Sequence, residues 1–188
     1  IFLFDILYFK FNAKFFKHKI EEYEREYQHP LMPTIVFSNH DQFRSIRRID
    51  NNVEKAKLLA VLKLTIRAVP TTYYGEEIGM QNTIIPIKKA KDTLAKSFTW
   101  VPQFVANLLP VAINRDACRT PMQWNSALNA GFSTNNTTWL PVHQDYATCN
   151  VENAIQNKNS IYYIYKKLLS IRKENEVLQS GRIQIIDI

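Results

Sequence analysis

Two short stretches of the 188-residue chain concentrate the side chains that could do chemistry. In "TIVFSNHDQFRS", residues 34–45, an apolar run ends abruptly in Asn39, His40 and Asp41. An imidazole beside a carboxylate pairs a donor with an acceptor, which suits acid–base work and equally suits the hydroxyls of a neutral polyhydroxyl ligand. Loop residues of these types also bond their own backbone or cap a following helix, so that role stays open beside the functional one. The second stretch is "TTYYGEE", residues 71–77, in which Glu76 and Glu77 follow a glycine turn. A carboxylate pair in that position reads first as one solvated group and one salt-bridge partner. The sequence contains no phosphate-cradling glycine loop, no Cys/His nucleophile pair and no metal-ligand spacing. Cys118 and Cys149 read as two free thiols, too few for a disulfide framework or a metal site, so neither metal nor cofactor is expected.

Strands must carry these two tips. The run at residues 34–38 is rich in β-branched residues and reads as a strand buried on both faces. Before it, residues 11–27 repeat Phe16, Ile20, Tyr23 and Tyr27 at helical spacing. After it, Asn52 is placed to cap a helix over residues 53–68 that Pro70 stops, and a second short strand follows at 71–74. Strand, helix and strand make a βαβ unit, in which both tips lie at the carboxyl edge where such sheets bind ligands. Residues 79–159 read as long loops with short helical pieces around 98–109. Ser160 caps a last helix over 160–174, and "GRIQIIDI" alternates like the first strand of a further unit at 178–188. Tyr73, Tyr74, Trp100, Trp124 and Trp139 read as core residues before sugar platforms.

Composition narrows the class. With 46% hydrophobic and 22% charged residues the chain is neither disordered nor collagenous. Its net charge of +7, from 24 basic and 17 acidic residues, is scattered without forming a block, which predicts no nucleic-acid partner. "IFLFDILYF" is broken by Asp5 and is shorter than the roughly 20 residues that span a bilayer, so no membrane segment is expected. The sequons at Asn135 and Asn136 read as chance occurrences. Localisation stays open, with the cytoplasm ahead of secretion. A chain that starts on Ile inside an apolar pattern is expected to have lost an upstream part.

Six motifs in register, "FSNHDQFR", "TTYYGEEIGM", "NRDACRTPMQWN", "NAGFS", "TWLPV" and "YKKLLSIRK", resemble glycoside hydrolase family 13, the α-amylase superfamily. They look most like its α-glucosidase and oligo-1,6-glucosidase branch, over residues 2–187. The resemblance implies an α/β fold, the carboxyl-terminal part of a (β/α)8 TIM barrel over residues 1–177. Residues 34–38 would be its seventh strand, 71–74 its eighth, and 178–188 the start of an all-β C-terminal domain. Such a barrel takes about 250 residues, so the chain is expected to be a fragment. Strands seven and eight would then expose unpaired edges, and the isolated polypeptide should aggregate.

The family cleaves α-glucosidic bonds with retention, using an aspartate nucleophile and a glutamate acid/base about 5 Å apart, with a third aspartate that stabilises the transition state. The first two follow the fourth and fifth strands, and no segment of this chain resembles the motifs that carry them. Nucleophile and acid/base are therefore expected outside the chain, and the fragment is expected to be inactive alone. His40 and Asp41 match the family's NHD pair, which bonds hydroxyls of the sugar being cleaved, so Asp41 would be the transition-state stabiliser. Arg44 matches the branch's recurrent arginine and would face the next subsites, with a salt bridge at the barrel rim as the other reading. Arg115 and Arg119 resemble a loop that closes over the pocket, implying substrate contact, while Glu76 and Glu77 match a structural turn. The implied partner is an α-linked glucose oligosaccharide or disaccharide; oligomeric state stays open.

Two departures stand out. Ala68 replaces the glycine that usually precedes the eighth strand, which puts tight turning there in doubt. Residues 81–113 form a longer, more apolar segment than in many relatives, expected to add a helix on the rim. Two other functions compete with hydrolysis: a glucosyl transferase or isomerase using the same carboxylates, and a non-catalytic amylase-like ectodomain acting as a partner subunit. The trio His40, Asp41 and Arg44 argues against the last, because a dead site has no chemical need for it.

Overall fold

The computed structural model describes residues 1–109 and 111–186. Three parallel strands form one sheet in the order β1 (Phe2–Leu3), β2 (Thr34–Val36) and β3 (Val69–Thr71). Register pairs Thr34 with Phe2 on one side and with Val69 on the other. The central strand is the driest part of the chain: Ile35 and the following Phe37 are fully buried, as expected for an apolar run covered on both faces. Phe37 meets Phe9 and Phe16 edge-on at 5.6 and 6.3 Å, an arrangement aromatic rings favour. Strand β1 falls in the apolar run that also holds Asp5, and its shortness hides the strand signal.

Helix α1 (Ala13–Glu26) and helix α2 (Val53–Thr65) begin at asparagine caps, with Asn12 accepting from the Phe15 amide and Asn52 from the Lys55 amide. α2 joins β2 to β3, which makes the anticipated βαβ unit. It ends at Thr65, three residues short of expectation. Ile66 is extended, and the carbonyls of Leu64, Ile66 and Ala68 accept from the Arg172 guanidinium instead of continuing the helical ladder. Ala68 is buried and lies outside the positive-φ residues, so this position makes no demand that only glycine meets.

Both strands are shorter than 34–38 and 71–74. The Phe37 carbonyl accepts from Arg48 and the Ser38 hydroxyl from the Ser45 amide, which turns the chain out of the sheet after Val36. β3 starts earlier and stops at Thr71 because Glu76 accepts from the Tyr73 amide, drawing residues 73–76 into a turn. Gly75 closes that turn at φ +82°, where a Cβ would fall 2.3 Å from the Met80 sulfur. Pro70 lies within β3 instead of merely ending α2, in register with Ile35 of β2.

The long segment after β3 carries two small helices, α3 (Thr93–Lys96) and α4 (Gln103–Leu108), the second within the 98–109 stretch expected to hold short helical pieces. α5 (Val151–Gln156) precedes α6 (Ile161–Glu174), which Ser160 caps by accepting from the Tyr163 amide. α6 packs its Ile161 and Tyr165 against Ala60 and Leu64 of α2. Residues 178–180 complete α7 (Glu176–Ser180), and 181–186 form no strand, so the predicted β-start at 178 is corrected. Asn175 caps α7 by accepting from the Val177 and Leu178 amides, and Arg172 bonds the Leu178 carbonyl, which commits this stretch to a helix. Residues 187 and 188 of the same expectation lie outside the described residues. Among the described residues no helix is long and apolar enough to cross a membrane.

Candidate active site

The end of β2 delivers Asn39, His40 and Asp41 to the carboxyl edge of the sheet. Asn39 shapes the tip, because its side-chain oxygen accepts from the Asp41 amide at 2.9 Å, a local turn that aims the next carboxylate outward. Asp41 Oδ2 lies 3.3 Å from His40 Nε2, and the aspartate side chain is 46% exposed, so a ligand can reach it. Two arginines from a loop more than 70 residues away converge on the other oxygen. Arg115 Nη1 donates to Asp41 Oδ1 at 3.0 Å and Arg119 Nη2 to the same atom at 3.1 Å. Arg119 also donates through Nε to the His40 carbonyl at 2.7 Å, tying both halves of the tip.

Arg115 and Arg119, expected on a loop over the pocket, both bond the Asp41 carboxylate. Arg115 is held from behind by Asp92, whose side chain is 1% exposed. The Arg115 guanidinium holds the Asp92 carboxyl well below the usual carboxylate range, at about 2. A carboxyl depressed in the folded state stabilises above its unfolded pKa, near 3.9, and that contribution disappears as pH falls toward 2. The complete protein should therefore lose thermal stability between about pH 4 and pH 2. Asp92→Asn should be less stable at neutral pH and converge with the wild type near pH 2; parallel melting curves across that window would sink the assignment.

Arg44 corrects its expected role. It is 2% exposed and faces the interior, donating to the Tyr74 carbonyl at 2.5 Å and the Cys118 carbonyl at 3.0 Å. Its guanidinium lies over the rings of Tyr73 and Tyr74 at 5.1 and 4.7 Å. A desolvated guanidinium needs fixed acceptors and π faces, and this site supplies both, so Arg44 ties the two strand ends to the distant loop instead of reaching a subsite or a rim carboxylate. Glu76 is likewise internal: it pairs with the fully buried Lys63 at 3.2 Å and accepts from the Tyr73 amide.

Glu77 follows Glu76 in the same short turn beside the site. Burial pushes its carboxyl pKa up, and it lines a cleft of about 530 Å³ with Tyr74, Arg119, Trp124, Phe132 and Trp139. Trp139 is 77% exposed and Trp100 and Trp124 are also open, which corrects their reading as core. Burial raises the thiols of Cys118 and Cys149 to about 11 and 12, so both stay protonated and unreactive at neutral pH. Among the described residues no group of three or more His, Cys, Asp or Glu side chains is disposed to hold a metal ion. Sequence reasoning missed Asp92, whose only local signal is that of a helix cap, and Tyr8, whose hydroxyl accepts from Gln42 beside the site.

Known proteins resemble the chain over most of its length. The family model for the α-amylase catalytic domain matches residues 4–181. The oligo-1,6-glucosidase of Bacillus cereus is 33% identical over 184 residues, covering 90% of this chain and 32% of that protein. The glucan 1,6-α-glucosidase of Streptococcus pneumoniae is 37% identical over 169 residues, covering 82% of this chain and 31% of that protein. Among solved structures, a trehalulose synthase from Pseudomonas mesoacidophila MX-45 superposes with a TM-score of 0.82 at 27% identity, covering 98% of this chain and 37% of that one. An isomaltulose synthase mutant from Erwinia rhapontici NX5, in complex with sucrose, gives 0.76 at 27% identity, covering 94% and 36%. The chain spans about a third of the length of the curated relatives it matches. The parallel sheet, the His40–Asp41 tip and these similarities together establish that the chain belongs to the α-amylase catalytic-domain family, glycoside hydrolase family 13, whose fold is the TIM barrel.

Proposed function

We propose that this chain supplies the sugar-gripping third of a retaining α-glucosidase that cleaves short α-linked glucosides. The carrying observation is the half-exposed Asp41 carboxylate, fixed through Oδ1 by two arginines while Oδ2 stays beside His40. A carboxylate anchored on one oxygen offers the other to ring hydroxyls. Such bonds strengthen as the ring flattens toward an oxocarbenium ion, adding several kcal/mol to transition-state binding. Asp41 acts as stabiliser; the nucleophilic aspartate and the acid/base glutamate belong to the remainder of the complete protein, and the polypeptide of 188 residues alone is inactive.

A glucosyl-transferring isomerase is the second reading, supported by the likeness of nearly the whole chain to sucrose-isomerising synthases. The complete protein incubated with isomaltose, maltose and sucrose separates the two. Release of free glucose with retained anomeric configuration supports hydrolysis, and conversion of sucrose into an isomeric disaccharide supports transfer. Inverted product would overturn retention, and the absence of any turnover would leave a non-catalytic partner subunit.

A further inference from the structure

We infer that Asp92 is a positioning residue for the glycosidic reaction: it grips the Nε–Nη2 edge of the Arg115 guanidinium so that Nη1 is held against Asp41 Oδ1. The inference rests on the proposed role of Asp41. Arg115 Nε donates to Asp92 Oδ2 at 2.9 Å and Nη2 to Asp92 Oδ1 at 2.7 Å, a side-on fork that matches the planar guanidinium to both carboxylate oxygens. The Arg115 amide donates to the same Oδ2 at 3.0 Å, so backbone and side chain are clamped together. The two loops are laced in the other direction as well, since Asp116 Oδ2 accepts from the amides of Lys91 and Asp92 at 2.6 and 3.1 Å.

This anchoring decides how Arg115 can address Asp41. A guanidinium free to turn meets a carboxylate by preference through two parallel bonds, which would draw Oδ2 of Asp41 into the ion pair as well as Oδ1. With the Nε–Nη2 edge gripped by Asp92, the orientation of the guanidinium is fixed, and Arg115 meets Asp41 through a single bond from Nη1 to Oδ1. Arg119 is oriented by its bond from Nε to the His40 carbonyl, and its Nη2 lands on the same oxygen. Both arginines therefore crowd one oxygen, and Oδ2 stays available beside His40. Asp92 lies in the long segment between β3 and Arg115, which the family resemblance left without a role.

The test is steady-state kinetics on the complete enzyme with isomaltose, comparing Asp92→Asn, Asp41→Asn and the double variant. Asp92→Asn should lower kcat by about 10- to 100-fold, the usual cost of losing an orienting partner, with KM changed by less than about twofold. In the Asp41→Asn background the same substitution should cost less than about twofold more, because it acts through a carboxylate already removed. A merely structural residue would lower both variants by the same factor. Should Asp92→Asn not fold, Asp92→Glu, which keeps the charge but displaces the fork, enters the same cycle with the same expectations. Wild-type kcat in the single variant, or multiplicative losses in the double, would overturn the role of Asp92 while a crippled Asp41→Asn leaves the stabiliser in place. An Asp41→Asn enzyme with normal turnover would instead overturn the reading of Asp41, and with it this one.

Discussion

Asp41→Asn in the complete enzyme is expected to lower kcat for isomaltose by about a thousandfold, the equivalent of roughly 4 kcal/mol of transition-state stabilisation. Asparagine has the shape of aspartate and still bonds a hydroxyl, so ground-state binding should change little and KM should stay within a few fold. What is lost is the negative charge opposite a ring that becomes cationic at the transition state, together with the anchor for Arg115 and Arg119. An interaction made only in the transition state lowers kcat and kcat/KM together. The side chain is half exposed and touches no core cluster, so the melting temperature should move little. Turnover within tenfold of wild type would remove Asp41 from the reaction.

The largest effect on stability is expected at Arg172. It is 8% exposed on α6, and its guanidinium donates to the carbonyls of Leu64 and Ile66, both at 3.0 Å, and of Ala68 at 2.6 Å. It also bonds the Leu178 carbonyl in α7. One side chain thus satisfies the end of α2, the start of β3 and the last helix. Arg172→Ala leaves several carbonyls buried without partners, each costing about 1–3 kcal/mol. The complete protein should lose about 3–5 kcal/mol of apparent unfolding free energy, read from the shift in urea midpoint. Arg172→Lys should recover only part of this, because a compact ammonium cannot reach acceptors arranged around a planar fork. A loss below about 1 kcal/mol for the alanine variant would show that the carbonyls find other donors.

Much of the scaffold was legible because its signals are local. The caps at Asn52 and Ser160, the helical spacing of apolar residues in α1 and α6, and the β-branched run of β2 each act within a few residues of themselves. β1 was not legible: two residues carry no period, and only pairing with β2 makes them a strand. The end of α2 was misjudged for a related reason. Pro70 is a plausible stop, but the helix stops earlier because a distant arginine competes for its last carbonyls.

The same division runs through the candidate site. By itself the sequence determined that a buried strand presents His40 and Asp41 at its tip, since hydrophobicity places the strand and chain continuity places the residues at its end. Only the tertiary structure decided which groups surround them. Arg44 comes three residues after Asp41 yet turns inward, whereas Arg115 and Arg119 lie more than 70 residues away and hold its carboxylate. Spacing along the chain says nothing about which of several arginines finds an acidic partner across a loop. That choice is made by burial, which draws Arg44 onto fixed carbonyls and aromatic faces, and by the fork of Asp92, which holds Arg115 Nη1 against Asp41.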